Sequence, residues 1–111
     1  MRGESRIAIP CLRIEIRGGN DEVDMREIGA RLGYEVGPLI AIAPEFEGPY
    51  TTVMNAIART GATAVIVPDL EHIDGIARQI RERVQIITVE GERILERSGL
   101  GKQLADAARC G

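Results

Sequence analysis

The run Thr63-Ala64-Val65-Ile66-Val67 is the strongest constraint on how this chain folds. It is apolar after its first threonine, rich in β-branched residues, and bounded by Gly61 and Pro68. A short apolar run between turn residues is the pattern of a strand buried on both faces. Such a strand belongs in a parallel sheet with helices packed on either side. The sequence on either side of this run supplies both the helices and the neighbouring strands.

Residues 6–16 (RIAIPCLRIEI) predict a first strand, with Pro10 marking a bulge or bend because proline donates nothing to a ladder. The turn Gly18-Gly19-Asn20-Asp21 leads into a helix over 21–32, with Asp21 as N-cap and Asp24 three positions on. Val23, Ile28 and Leu32 form its apolar stripe, with Met25 and Ala30 beside it and Gly33 past its end. Residues 34–43 predict a strand interrupted by Gly37-Pro38 and firm over 39–43, followed by a loop over 44–49. A helix over 50–59 places Val53, Met54 and Ile57 toward the core. After the 63–67 strand, Ile73, Ile76, Ala77 and Ile80 predict a helix over 71–82, and 84–89 (VQIITV) the last strand. Glu90-Gly91 opens a tail that is helical over 92–97 and 100–109. Strands thus alternate with helices, which predicts an α/β fold. The expected form is a three-layer, doubly wound, mainly parallel four-stranded sheet of flavodoxin-like alternation, with a C-terminal helical tail. Residues 1–91 form the domain and 92–111 the tail.

A chain of 111 residues fits one domain and can bury a serviceable core. Aromatic residues make up 3% of it and tryptophan is absent, so Ile, Leu, Val and Ala build the core and no stacking platform for single-stranded nucleic acid is expected. The net charge of −3 lacks the basic excess of a free-standing DNA-binding domain, so DNA binding is not expected. Charge is uneven along the chain: 76–83 carry Arg78, Arg81 and Arg83 against Glu82, and 21–27 are acidic. Both stretches read as solvated helix faces. The two cysteines, Cys11 and Cys110, form no CxxC or Cys/His cluster, so neither a metal nor a cofactor is expected. A reduced, cytoplasmic protein without membrane association is the simplest expectation, since no signal-peptide core or membrane-length apolar run occurs.

In an open parallel sheet, ligands bind beyond the carboxyl ends of the strands. Neither GxGxxG nor GxxxxGK[ST] occurs there. The only histidine, His72, sits among Asp69, Glu71 and Asp74 after the third predicted strand. A carboxylate-oriented imidazole can act as a general base, but no nucleophile is evident beside it. Helix-capping acids around an exposed histidine explain the same pattern. Glu45 and Glu47 read as solvated loop acids. Arg13 and Glu15 are harder to dismiss, because central parallel strands are nearly continuously apolar. Residues two apart share a strand face, and buried charge is costly unless paired.

The chain resembles the N-terminal catalytic domain of the serine recombinases, the resolvase/invertase family, from about Arg6 to Glu92. That family opens with a strand reading Tyr-x-Arg-Val-Ser, and this chain has Cys11-Leu12-Arg13-Ile14-Glu15 there. Leu32-Gly33-Tyr34 is similar to the family's first helix end, and Gly48-Pro49-Tyr50 to its Pro-containing helix entry. The family's buried strand precedes Leu-Asp-Arg-Leu-x-Arg, where this chain has Leu70-Glu71-His72-Ile73-Asp74-Gly75. The resemblance implies a resolvase-like fold. It also implies a lost reaction centre. The family's nucleophilic serine falls on Glu15, and of the phosphate-binding arginines only Arg13 remains, the others falling on His72 and Gly75.

The resulting expectation is a non-catalytic resolvase-like domain that works by protein–protein interaction or self-association. Arg13, Glu15, Glu71 and His72 would form a vestigial pocket. Ile94, Leu95, Leu100 and Leu104 would form an interaction surface on the tail, for a second copy of the chain or a protein partner. The alternative is a small flavodoxin-like ligand-binding domain or enzyme, with its site at the strand carboxyl ends.

Overall fold

The computed structural model describes residues 6–16, 18–43 and 48–97. Among the described residues, six strands and three helices alternate as expected except at two places where strand follows strand. The strands are β1 (Ile7–Arg13), β2 (Glu35–Val36), β3 (Ile40–Ile42), β4 (Ala64–Val67), β5 (Gln85–Thr88) and β6 (Arg93–Leu95). The helices are α1 (Asp21–Arg31), α2 (Pro49–Thr60) and α3 (Ala77–Arg81). The sheet runs β2-β1-β4-β5-β6, with β3 following β2 alongside β1. Every pairing is parallel except β5 with β6.

The alternating faces of β4 organise two half-cores. Val65 and Val67 point to one side, where Ile9, Ile42 and Ile86 meet Val53 and Ala56 of α2 and Ile80 of α3. Ala64 and Ile66 point to the other, where Ala8, Leu12 and Ile87 meet Met25 and Ile28 of α1. The result is the expected three-layer, doubly wound domain.

Pro10 causes no bulge within β1, which pairs without a break with β4; the extra residue lies in the partner, where the register moves from Ala8–Val36 to Cys11–Ile40. The even-numbered residues of β1 face β2: the Ala8 carbonyl accepts from the Gly37 amide at 2.9 Å. The odd-numbered residues face β4: the Ile7 carbonyl accepts from the Thr63 amide at 2.8 Å. Backbone polar groups alternate sides along a strand, so the missing amide of Pro10 falls on the β2 side. There Gly37-Pro38-Leu39 separates β2 from β3, and the Gly37 carbonyl accepts from Arg26 Nη1 at 3.2 Å.

Four local expectations are corrected. The α1 stripe is Met25, Ile28, Gly29 and Leu32, at i, i+3, i+4 and i+7, and Val23 is 66% exposed on the outer side. Asp21 is the first residue of α1 rather than its cap, and its carboxylate accepts from the Gly18 amide. The expected helix over 71–82 divides into a 3₁₀ turn, Leu70–Ile73, and α3, because Gly75 between them has φ +89°. The sheet has more than four strands, partly because residues 93–95 form β6 instead of a helix. Gly91 (φ +72°) lets Val89–Glu92 reverse the chain, and so brief a connection returns the chain antiparallel onto β5. Residues 98–111, including Leu100 and Leu104, lie outside the described residues, as do Glu45 and Glu47.

Gly29 lets α1 lie close against β4. A Cβ there would stand 2.7 Å from Val36 Cγ2 and 2.8 Å from Ile66 Cδ1. Overpacking of this kind costs about 1–3 kcal/mol, against roughly 1 kcal/mol gained in helix propensity. Gly29→Ala is therefore expected to lower the urea midpoint at unchanged slope. Combining it with Ile66→Val, which removes one of the two close methyl groups, is expected to recover part of the loss.

Candidate functional site

β1 runs past the end of β4. Its last register pair with β4 is Pro10 with Ile66, so the Arg13 amide, which faces that side, has no strand to meet. The chain leaving β4 fills the gap with a side chain. Asp69 Oδ1 accepts from the Glu71 amide at 2.8 Å and starts the 3₁₀ turn Leu70–Ile73. That turn folds His72 inward until it is 2% exposed. His72 Nδ1 accepts from the Arg13 amide at 2.9 Å. An accepting Nδ1 places the proton of the neutral ring on Nε2. The imidazole thus closes the sheet where β4 stops, and the expectation of an exposed histidine is corrected.

Glu15 does not continue the strand. β1 ends at Arg13, and Ile14–Ile16 form a 3₁₀ turn. The Arg13 and Glu15 side chains are 22% and 53% exposed, with Nε and Oε1 4.0 Å apart. An ion pair this open contributes at most about 1 kcal/mol. It is a solvent-facing pair at the carboxyl edge, not a charge pair closed inside the protein. Arg13 therefore meets Glu15 through its side chain and His72 through its backbone. Glu71 shares the His72 turn and is exposed.

Among the described residues, two recesses lie along the carboxyl edge, where the topology favours ligand sites. One, of about 80 Å³, is lined by Leu12, Gly18, Gly19, Glu22 and Leu39. The other, of about 330 Å³, lies beyond β4 and β5 and is lined by Asp69, Leu70, Thr88, Glu90, Gly91 and Arg93. Neither is lined by Arg13, Glu15, Glu71 or His72. Sequence reasoning missed Thr88, which is buried and ties down the turn after β5. Its hydroxyl donates to the Glu90 carbonyl at 2.8 Å and accepts from the Arg93 amide at 3.3 Å. Cys11 is a free thiol sealed in the core, and burial pushes its pKa up to about 12. Among the described residues, no three His, Cys, Asp or Glu side chains are grouped to hold a metal.

The His72 bond can be separated from the packing of its ring. His72→Phe keeps an aromatic ring but removes the acceptor, leaving the Arg13 amide unpaired at a cost of about 1–3 kcal/mol. His72→Asn offers an oxygen close to where Nδ1 stands. Hydrogen exchange at the Arg13 amide is expected to quicken strongly in the phenylalanine variant and to be slowed again in the asparagine variant.

No protein-family model and no curated protein sequence matches the chain. Among solved structures, the crystal structure of the N-terminal catalytic domain of TP901-1 integrase is similar, with a TM-score of 0.57 and 12% sequence identity. The match covers 91% of this chain and 88% of that one. With the element order, the parallel central strands and the two helical layers, this establishes the architecture: the chain has the resolvase-like fold of a serine recombinase N-terminal catalytic domain.

Proposed function

We propose that this chain is a resolvase-like domain that performs no strand-exchange chemistry and acts through protein–protein contact, by self-association or on a protein partner. The observation that carries this reading is the position of Glu15. It occupies the turn at the carboxyl end of β1, where the resemblance puts the nucleophilic serine, and its carboxylate is open to solvent. A carboxylate there repels the phosphate that a recombinase must bind. His72 and Gly75 support the same reading. They stand where the resemblance puts phosphate-binding arginines, one buried on the Arg13 amide and the other in a left-handed turn.

Apolar side chains open to solvent support the contact role. Ile14 and Ile16 flank Glu15, Val23 projects from α1, and Ile94 projects from β6 with 44% of its surface exposed. Leu95 is turned inward and packs against the core, so Ile94 is the outward member of the expected tail surface. Among the described residues, no helix is long and apolar enough to cross a membrane.

Sedimentation equilibrium over a range of concentrations is expected to show association that weakens in Ile94→Asp and on truncation after Arg97, which leaves β6 in place. A strict monomer at every concentration, with no protein partner recovered by pull-down, overturns the contact role. The chemical half of the proposal is checked separately. Glu15→Ser is expected to leave supercoiled DNA uncut, because the guanidinium groups are still missing at His72 and Gly75. Detectable cleavage by that variant would show that the reaction centre is intact apart from its nucleophile.

A further inference from the structure

A third recess lies at the opposite edge of the sheet, among the amino ends of the parallel strands. It measures about 330 Å³, and Arg6, Arg83, Arg97, Tyr34, Thr63 and Gln85 contribute to its walls. Arg6 precedes β1, Thr63 precedes β4, and Arg83 and Gln85 lie at the start of β5. Arg97 arrives from the other direction, because β6 is antiparallel and ends at this edge. The topology therefore brings three arginines, far apart in sequence, to one place.

Their surroundings are already ordered. The Tyr34 hydroxyl donates to Gln85 Oε1 at 2.6 Å, and Gln85 Nε2 donates to Glu96 Oε1 at 3.2 Å. The Arg6 guanidinium lies over the Tyr34 ring, 4.4 Å from its centroid. Arg97 Nε donates to the Glu82 carbonyl at 3.5 Å. Among the described residues, Arg13, Arg26 and Arg31 each pair with a carboxylate, whereas Arg6, Arg83 and Arg97 do not, and neither do Arg59, Arg78, Arg81 and Arg93. The recess between α3 and β6 also holds three arginines, Arg78, Arg81 and Arg93, but its other walls, Leu70, Ala77 and Leu95, are apolar, whereas Tyr34, Thr63 and Gln85 bring polar groups to this one. Positive charge gathered at a polar recess favours a bound counter-charge.

We propose that this recess binds the phosphate group of a small phosphomonoester. Guanidinium forks match phosphate oxygens in geometry as well as charge, and the Thr63 hydroxyl adds a neutral donor at the same wall. The volume suits one phosphoryl group on a small carrier. A nucleic-acid backbone would need an extended basic surface, which this acidic chain lacks overall. The site is independent of the Glu15 edge and of the proposed contact role.

The test uses the full chain, with inorganic phosphate as probe. At constant ionic strength, replacing chloride by phosphate is expected to raise the thermal midpoint and to broaden the phosphate ³¹P resonance. A sugar phosphate should displace the phosphate, and the unphosphorylated sugar should not. The double variant Arg83→Gln/Arg97→Gln, altered only at exposed positions, should keep its midpoint in chloride and bind phosphate roughly tenfold or more weakly. Arg78→Gln/Arg93→Gln removes two of the three arginines of the recess between α3 and β6 and should leave phosphate binding unchanged. An equal phosphate response in all three proteins, or none in the unaltered chain, overturns the proposal. So does an oligonucleotide that displaces phosphate when the sugar phosphate cannot.

Discussion

Pro10 takes one amide out of a strand that must pair on both sides, and the sheet is laid out around that gap. On the side where the amide is missing, the partner is broken into two short pieces, β2 and β3, with Gly37-Pro38-Leu39 spanning the interval. On the other side every odd-numbered residue keeps its amide, and β4 pairs along Ala8 to Pro10. β1 can therefore occupy the interior of the sheet despite its proline. The same offset between β1 and its neighbours lets β1 outrun β4, which is why the Arg13 amide needs His72.

The alternation of strands and helices was legible because it depends on runs of apolar residues between turn residues, and these survive in almost any tertiary setting. The α1 stripe was not, because it rests on Met25 and Gly29 rather than on β-branched residues. Gly29 is a contact defined by a missing atom, and only the positions of Val36 and Ile66 reveal it. β6 was misread because Arg-Ile-Leu has no strong local preference, and pairing with β5 decides it. Pro10 pointed in the right direction for the wrong feature. Its effect falls on the partner strand, and its own strand runs unbroken from Ile7 to Arg13.

At the site, the element that carries Arg13 and the loop that carries His72 could both be read from sequence. The direction of the His72 ring could not, since it depends on where β4 stops relative to β1. Glu15 looked like a strand residue only because the strand was taken three residues too far, to Ile16. The amino edge was passed over altogether. Its arginines are scattered at positions 6, 83 and 97 and share no spacing, and it takes an antiparallel sixth strand to bring the last of them home.

The interior position of β1 also bears on the order in which the fold is assembled. Ile9 pairs with Val65, more than fifty residues further along the chain. Closing that loop forfeits chain entropy before any long-range contact compensates for it, whereas β5 and β6 are joined by a local turn. During synthesis β1 emerges first, yet it has only the short β2 and β3 beside it until β4 follows. A fragment ending before Ala64 would present one side of this interior strand as an open ladder edge. The first strand to be made is thus among the last to be enclosed, and the tight hairpin at the far edge can form while the centre is still open.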